Sequence, residues 1–141
     1  MSQISIQVRV PFHDVDSSER IHFIAMLRYM ELAEHELVRS LGFPRATTLK
    51  DIAFPRVHVS CDYIRAIGYD DGLTIDAQVE HVGRSSWTVA FTARFTSEID
   101  KETQQGGEIV ARGKMTIVAV NPQTGHARSL PDELRAALAA E

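Results

Sequence analysis

The feature that most limits how this chain can fold is its change of hydrophobic period. Ile4, Ile6, Val8, Val10 and Phe12 alternate with polar residues, the period of a half-buried strand. Pro11 near the end of this run suits an edge position or a strand terminus. From about Ile24 the spacing becomes helical, with Leu27, Met30, Ala33, Leu37, Val38 and Leu41 on one stripe. Gly42 stops that helix, with Pro44 just beyond it. After about Ala53 the period of two returns and persists. Val57, Val59, Cys61 and Tyr63 form one run, and Leu73, Ile75, Ala77 and Val79 the next. Trp87, Val89, Phe91, Ala93 and Phe95 follow, and Ile109 to Val120 is the last long strand. Turns fall at 68–72 and 82–86 and a polar loop at 100–107. A short helix over 129–140 closes the chain, with Pro131 in its first turn and Asp132 and Glu133 at its positive end.

Strand, long helix, then four antiparallel strands is a segregated order, and segregated elements make an α+β fold. One antiparallel β-sheet wrapped around one long central α-helix would bury the helix stripe on a single sheet face. With no linker, repeat or low-complexity stretch, residues 1–141 read as one domain, an ordinary size for a single hydrophobic core.

The junction between first strand and helix, "PFHDVDSSERIHF", holds Asp14 and Asp16 where apolar surface is about to be buried. Aspartates there have a structural use, accepting backbone N–H bonds at turns. They also have a chemical one. A helix N-terminus presents unpaired N–H groups and partial positive charge, which stabilise an oxyanion forming on a carbonyl. A carboxylate beside it can attack that carbonyl or deprotonate a water. Strand, acid and helix end together are a minimal acyl-transfer site. The spacing alone leaves both uses open.

The stretch "VPFHDVDSSERIHFIAMLRYMELAEHELVRSLG" resembles the opening of hot-dog-fold acyl-CoA thioesterases, in the 4-hydroxybenzoyl-CoA thioesterase and YbgC-like branch. Phe12, Asp14, Asp16, His22-Phe23 and the Arg28-Tyr29-Met30-Glu31 run carry the likeness, with Asp71 in the "YDD" turn and the "VGRSS" hairpin. The resemblance implies hydrolysis of an acyl-CoA, or an acyl-carrier-protein thioester, to acid and thiol. It implies Asp16 as nucleophile or general base, and the Phe23 backbone N–H as the group that polarises the thioester carbonyl. It places Arg84, Ser85 and Ser86 against the CoA nucleotide and its phosphates, where the planar Arg fork donates in pairs. His22 sits beside the site, Met26 is core or acyl-pocket lining, and His58 is placed to line the pocket from a neighbouring subunit. Hot-dog proteins pair as homodimers, often as homotetramers, with the pocket at the dimer interface.

Departures from the family pattern accompany the likeness. Many relatives have Gly where this chain has Glu19, and other residues in place of Ala25 and Met26. The order His22-Phe23 is also reversed relative to the YbgC-like group. Glu19 adds a second acid near Asp16, expected to raise a carboxyl pKa by like-charge repulsion. Two other activities stay open beside hydrolysis: non-catalytic acyl-CoA binding, and hydration or dehydration of an acyl thioester.

Other chemistries find less support. The six histidines show no ligand spacing on one element, so no metal is expected, and no cofactor beyond the CoA of the substrate. Glu31 and Glu34 on the helix are acids of a kind one thioesterase branch uses, although helix glutamates are commonly solvated or paired, and Glu31 is spaced to pair with His35. Cys61, the single cysteine, lies on an apolar face, reads as core rather than nucleophile, and fits a reducing cytosol. A net charge of -4 gives no electrostatic footprint for nucleic acid. No run approaches the roughly 20 apolar residues of a membrane span, and no leader pattern is visible, so a cytoplasmic protein is expected.

Overall fold

The computed structural model describes residues 1–43 and 51–141. Pro44, expected beyond the end of the long helix, lies outside them. Five strands form one sheet: β1 (Gln3–Arg9), β2 (Arg56–Tyr63), β3 (Gly72–Val82), β4 (Ser86–Phe95) and β5 (Ile109–Val118). The long helix α1 spans Phe23–Ser40, and α2 spans Asp132–Ala139 near the C-terminus. The spatial order is β1-β3-β4-β5-β2, with every neighbouring pair antiparallel. The long connection through α1 therefore carries β2 to the edge opposite β1, where it pairs with β5 rather than with its sequence neighbour β3.

The period change decides which faces meet. Ala25, Met26, Tyr29, Met30, Ala33, Glu34, Leu37 and Val38 are buried, a wide stripe facing the sheet. Opposite it lie the inward residues of the central strands, among them Ile75, Ala77, Val89, Phe91 and Ala111. Helix and sheet approach closely at Gly113 of β5. A Cβ there would collide with the Ser60 carbonyl and lie 2.5 Å from Cε of Met30, so a methyl group cannot fit between helix and sheet. Leu134 and Leu138 of α2 are also fully buried, and the chain start is tied to α2 by the Ser2 hydroxyl donating to the Ala137 carbonyl at 2.6 Å.

α1 ends as Gly42 predicts. Gly42 has φ +91, its N–H donates to the Arg39 carbonyl at 2.9 Å, and the Phe43 N–H donates to the Val38 carbonyl at 3.1 Å. This crossed pair satisfies carbonyls the helix end would leave open.

Three strand expectations need correction. β1 stops at Arg9, and Phe12–Asp14 form a single 3₁₀ turn, leaving Phe12 75% exposed. Pro11 has no N–H to extend the ladder, so the alternation holds as far as the buried Val10 and only Phe12 falls outside it. β5 ends at Val118; Val120 makes only isolated bridges to Ala53 and Ala127. On β2, Val57 and Val59 are exposed at 63% and 43%, so the alternation there does not mark a buried face. Cys61 on the same strand is half-buried and packs against the core, and burial pushes its thiol pKa up.

Candidate active site

Asp14 anchors the junction. It is buried and accepts from the Tyr29 hydroxyl at 2.7 Å and from the Arg28 guanidinium, both on α1. Burial alone would raise its pKa, but the bonds from Tyr29 and Arg28 outweigh it and hold the carboxyl below the ordinary range. Its backbone carbonyl accepts from the His22 N–H at 2.7 Å. Asp14 thus clamps both ends of the loop that carries Asp16.

That loop is a small hairpin. Val15 bridges Ile21, the Asp16 N–H donates to the Arg20 carbonyl at 3.0 Å, and the Glu19 N–H donates to the Asp16 carbonyl at 3.0 Å. The turn puts Glu19 at φ 66, a left-handed conformation that favours glycine and that costs a side chain about 1 kcal/mol or more. Glycine takes this conformation without that cost.

Asp16 is exposed. One carboxylate oxygen accepts from the Ser18 hydroxyl and from the Ser18 N–H at 2.8 Å; the other has no partner among the described residues. The Ser18 hydroxyl first, then its N–H, hold the Asp16 pKa below the ordinary carboxylate value, with nearby His22 acting in the same direction. The expectation that Glu19 raises a carboxyl pKa here is therefore corrected for Asp16. Donors from Ser18 dominate, and the exposed Glu19 is not among the influences on it.

His22 caps α1. Its Nδ1 accepts from the Ile24 N–H at 3.2 Å, which places the ring proton of the neutral imidazole on Nε2, and its ring stacks on Phe23 at 4.6 Å between centroids. The His22 carbonyl takes the Ala25 N–H at 2.8 Å. Of the first three N–H groups of the helix, only that of Phe23 has no acceptor among the described residues. An anionic carboxylate and an unpaired helix N–H thus belong to one loop, the arrangement an acyl-transfer site needs.

Phe23 also lines a cavity of about 350 Å³, with Arg20, Ile21, Tyr63, Ile64 and Arg65; Asp16 is not part of its wall. Its wall is built by the Ile21 N–H donating to the Ile67 carbonyl at 2.9 Å and by an Arg20–Gly68 bridge. The Tyr63 hydroxyl, at the end of β2, donates to the Phe23 carbonyl. The sequence reading missed Tyr63 as a site residue, since in the alternation of β2 it registers only as an apolar position.

The remaining candidates fall elsewhere. Met26 is wholly buried in the core of the single chain. His58 is exposed near the opposite end of β2 from Tyr63. Arg84, Ser85 and Ser86 form the β3–β4 hairpin, where the Arg84 carbonyl accepts from Leu130 N–H and Arg135. β3 starts at Gly72, beside the site, and runs 11 residues before that hairpin. At about 3.3 Å per residue this is more than 30 Å, so one chain does not bring Arg84–Ser86 to its own Asp16. Glu31 is exposed, whereas Glu34 is fully buried and bonded to Arg56 at 2.9 Å, with His35 at 3.6 Å. Glu34 ties α1 to β2. Among the described residues no three His, Cys, Asp or Glu side chains converge as a metal site requires, and no helix is long and apolar enough to cross a membrane.

Comparison with known proteins bears on the fold and the family. A family model described as the thioesterase superfamily matches residues 20–98, more than half of the chain. The chain belongs to the thioesterase superfamily. A relative in Aquifex aeolicus, named as a supposed esterase, is 29% identical over 85 residues, which cover 59% of this chain and 66% of that protein, just under two thirds. A 1,4-dihydroxy-2-naphthoyl-CoA hydrolase of a Synechococcus strain is 28% identical over 142 residues, 94% of this chain and 86% of that one. Among solved structures, an Asp-to-Asn mutant of 4-hydroxybenzoyl-CoA thioesterase in complex with 4-hydroxybenzoyl-CoA superposes with a TM-score of 0.81 at 19% identity, covering 99% of this chain and 100% of that one. The hot-dog architecture of this thioesterase-superfamily chain is thereby established.

Proposed function

We propose that this protein hydrolyses an acyl-CoA thioester to free acid and thiol, with Asp16 as the reacting carboxylate. One observation carries the reading: an ionised carboxylate with a free oxygen shares a loop with the unpaired Phe23 N–H. Acting as a base, Asp16 takes a proton from water, and the hydroxide adds to the thioester carbonyl. Acting as a nucleophile, it adds to the carbonyl itself, and water later cleaves the resulting anhydride. In both routes negative charge gathers on the carbonyl oxygen, where the Phe23 N–H stabilises it, and collapse expels the CoA thiolate, which is then protonated. No further cofactor is needed. The relatives' named substrates carry aromatic acyl groups, which makes aromatic acyl-CoAs the first compounds to try.

The topology supports a homodimer. β2 leaves the Tyr63 end of its edge beside the site and the Arg56 end beside the β3–β4 hairpin, since Arg56 pairs with Ile117 and Ser86 with Val118. Antiparallel pairing of two β2 edges about a two-fold axis would cover Val57 and Val59, and it would carry the hairpin of one subunit towards the Asp16 end of the other. Arg84, Ser85 and Ser86 would then meet the CoA phosphates, and His58 the pocket, across the interface. The free thiol of Cys61 suits a reducing cytoplasm.

Thiol release from a panel of acyl-CoAs, aromatic ones included, tests the reading, with Asp16→Ala alongside. Turnover by the wild type that falls at least about a hundredfold in the variant is expected. Hydrolysis that survives the substitution moves the chemistry away from Asp16, and consumption of an enoyl-CoA without thiol release points to hydration instead.

A further inference from the structure

The Phe23 N–H can polarise a thioester only if its direction is fixed, and of the four contacts around it two are to backbone carbonyls and two are to side chains. Upstream, the Ile21 N–H is held by Ile67 and the His22 N–H by Asp14, at 2.9 and 2.7 Å. Downstream, the Ile24 N–H is held by the His22 ring. The carbonyl of Phe23 itself is held from outside the helix by a side chain, the Tyr63 hydroxyl. Tyr63 is the last residue of the edge strand β2, 40 positions away in sequence, and its ring forms part of the cavity wall. Burial first, then neighbouring Cys61, push the phenol pKa well above its ordinary value, so the hydroxyl keeps the proton it donates at neutral pH.

We infer that Tyr63 is a positioning residue for the reaction: by donating to the Phe23 carbonyl it fixes the first residue of α1, so that the Phe23 N–H faces the thioester. The inference rests on the thioesterase reading above. A donor displaced by a fraction of an ångström binds the ground state almost as well but stabilises the oxyanion less. Tyr63 therefore acts on kcat, not on affinity.

Tyr63→Phe removes the hydroxyl and keeps the ring in the cavity wall. The expected result is a kcat lower by about tenfold with KM within about twofold of wild type. A second measurement separates positioning from general loosening of the fold. In an Asp16→Asn background, which slows turnover, the infrared carbonyl stretch of carbonyl-labelled 4-hydroxybenzoyl-CoA reports how strongly the bound thioester is polarised. Adding Tyr63→Phe is expected to move that band towards its position in free solution. An unchanged kcat, a change confined to KM, or a lowered kcat with an unmoved band each overturns the role of Tyr63. A wild-type protein that releases no thiol overturns the thioesterase reading itself, and the inference with it; active wild type with an indifferent Tyr63→Phe overturns the inference alone.

Discussion

Asp16 is exposed, yet its carboxyl titrates below the ordinary range, because two donors from Ser18 converge on one of its oxygens. The shift has a sign that kinetics can read. If Asp16 reacts as proposed, the reactive form is the carboxylate, and kcat/KM is lost as pH falls through the folded-state pKa, below the ordinary value of 3.8. Ser18→Ala removes the largest cause and leaves the N–H. Its acid limb is expected to move to higher pH, towards the ordinary carboxylate value, while the plateau above neutrality changes little. An acid limb that stays in place would mean that another group sets it. Asp16 entered as a candidate because the motif of the resembled family marks the position. The conformation of Glu19 was not, since φ is a property of the closed turn, and the repulsion expected of a second acid presumed a side chain aimed at Asp16. The division of labour between the two aspartates was half legible: Asp14 read as an organiser of the loop, but its bonds to Arg28 and Tyr29 need the helix to be docked first.

At the level of elements, the periods of two and 3.6 placed α1 and the strands within a few residues, because each period reflects which side faces the core. Where the alternation misled, at Phe12 and on β2, the apolar residues are left exposed in the single chain. Sequence pattern records which residues share a face, not whether the face is covered. Nor does it record how near two elements come. Gly113 looks unremarkable within the β5 run, yet it is where Met30 of α1 meets the sheet. Its missing Cβ lets the helix lie close, and the Ser60 backbone that a methyl would strike belongs to the paired strand β2, which cannot yield as a flexible side chain would. Gly113→Ala is expected to destabilise the fold by about 1–3 kcal/mol, the usual cost of overpacking, as a lower denaturant midpoint with an unchanged slope. Equal midpoints would show that helix and sheet can separate freely at this point.

For the molecule as a whole, the proposed site residues fall into two groups at opposite ends of a sheet. Asp16, His22, Phe23 and Tyr63 cluster at one end, whereas Arg84, Ser85 and Ser86 lie past the length of β3 at the other. No reading of one chain could reveal this, because family motifs list residues without saying which copy supplies them. If the working site takes Asp16 from one subunit and Arg84 from its partner, two defective proteins should repair each other. Asp16→Ala has an intact hairpin and Arg84→Glu an intact acid. Each alone is expected to be nearly inactive. Mixed one to one and allowed to exchange subunits, half of the dimers are hybrids, and each hybrid holds one site with both wild-type groups. Recovery to about a quarter of wild-type activity follows from that two-fold arithmetic. A mixture no more active than its parts, after exchange has been verified by mass, would place Arg84 outside the site. A fully active Arg84→Glu protein would do the same before any mixing. Recovery near a quarter would instead give Val57 and Val59 their use, as the exposed apolar edge on which two half-sites are joined.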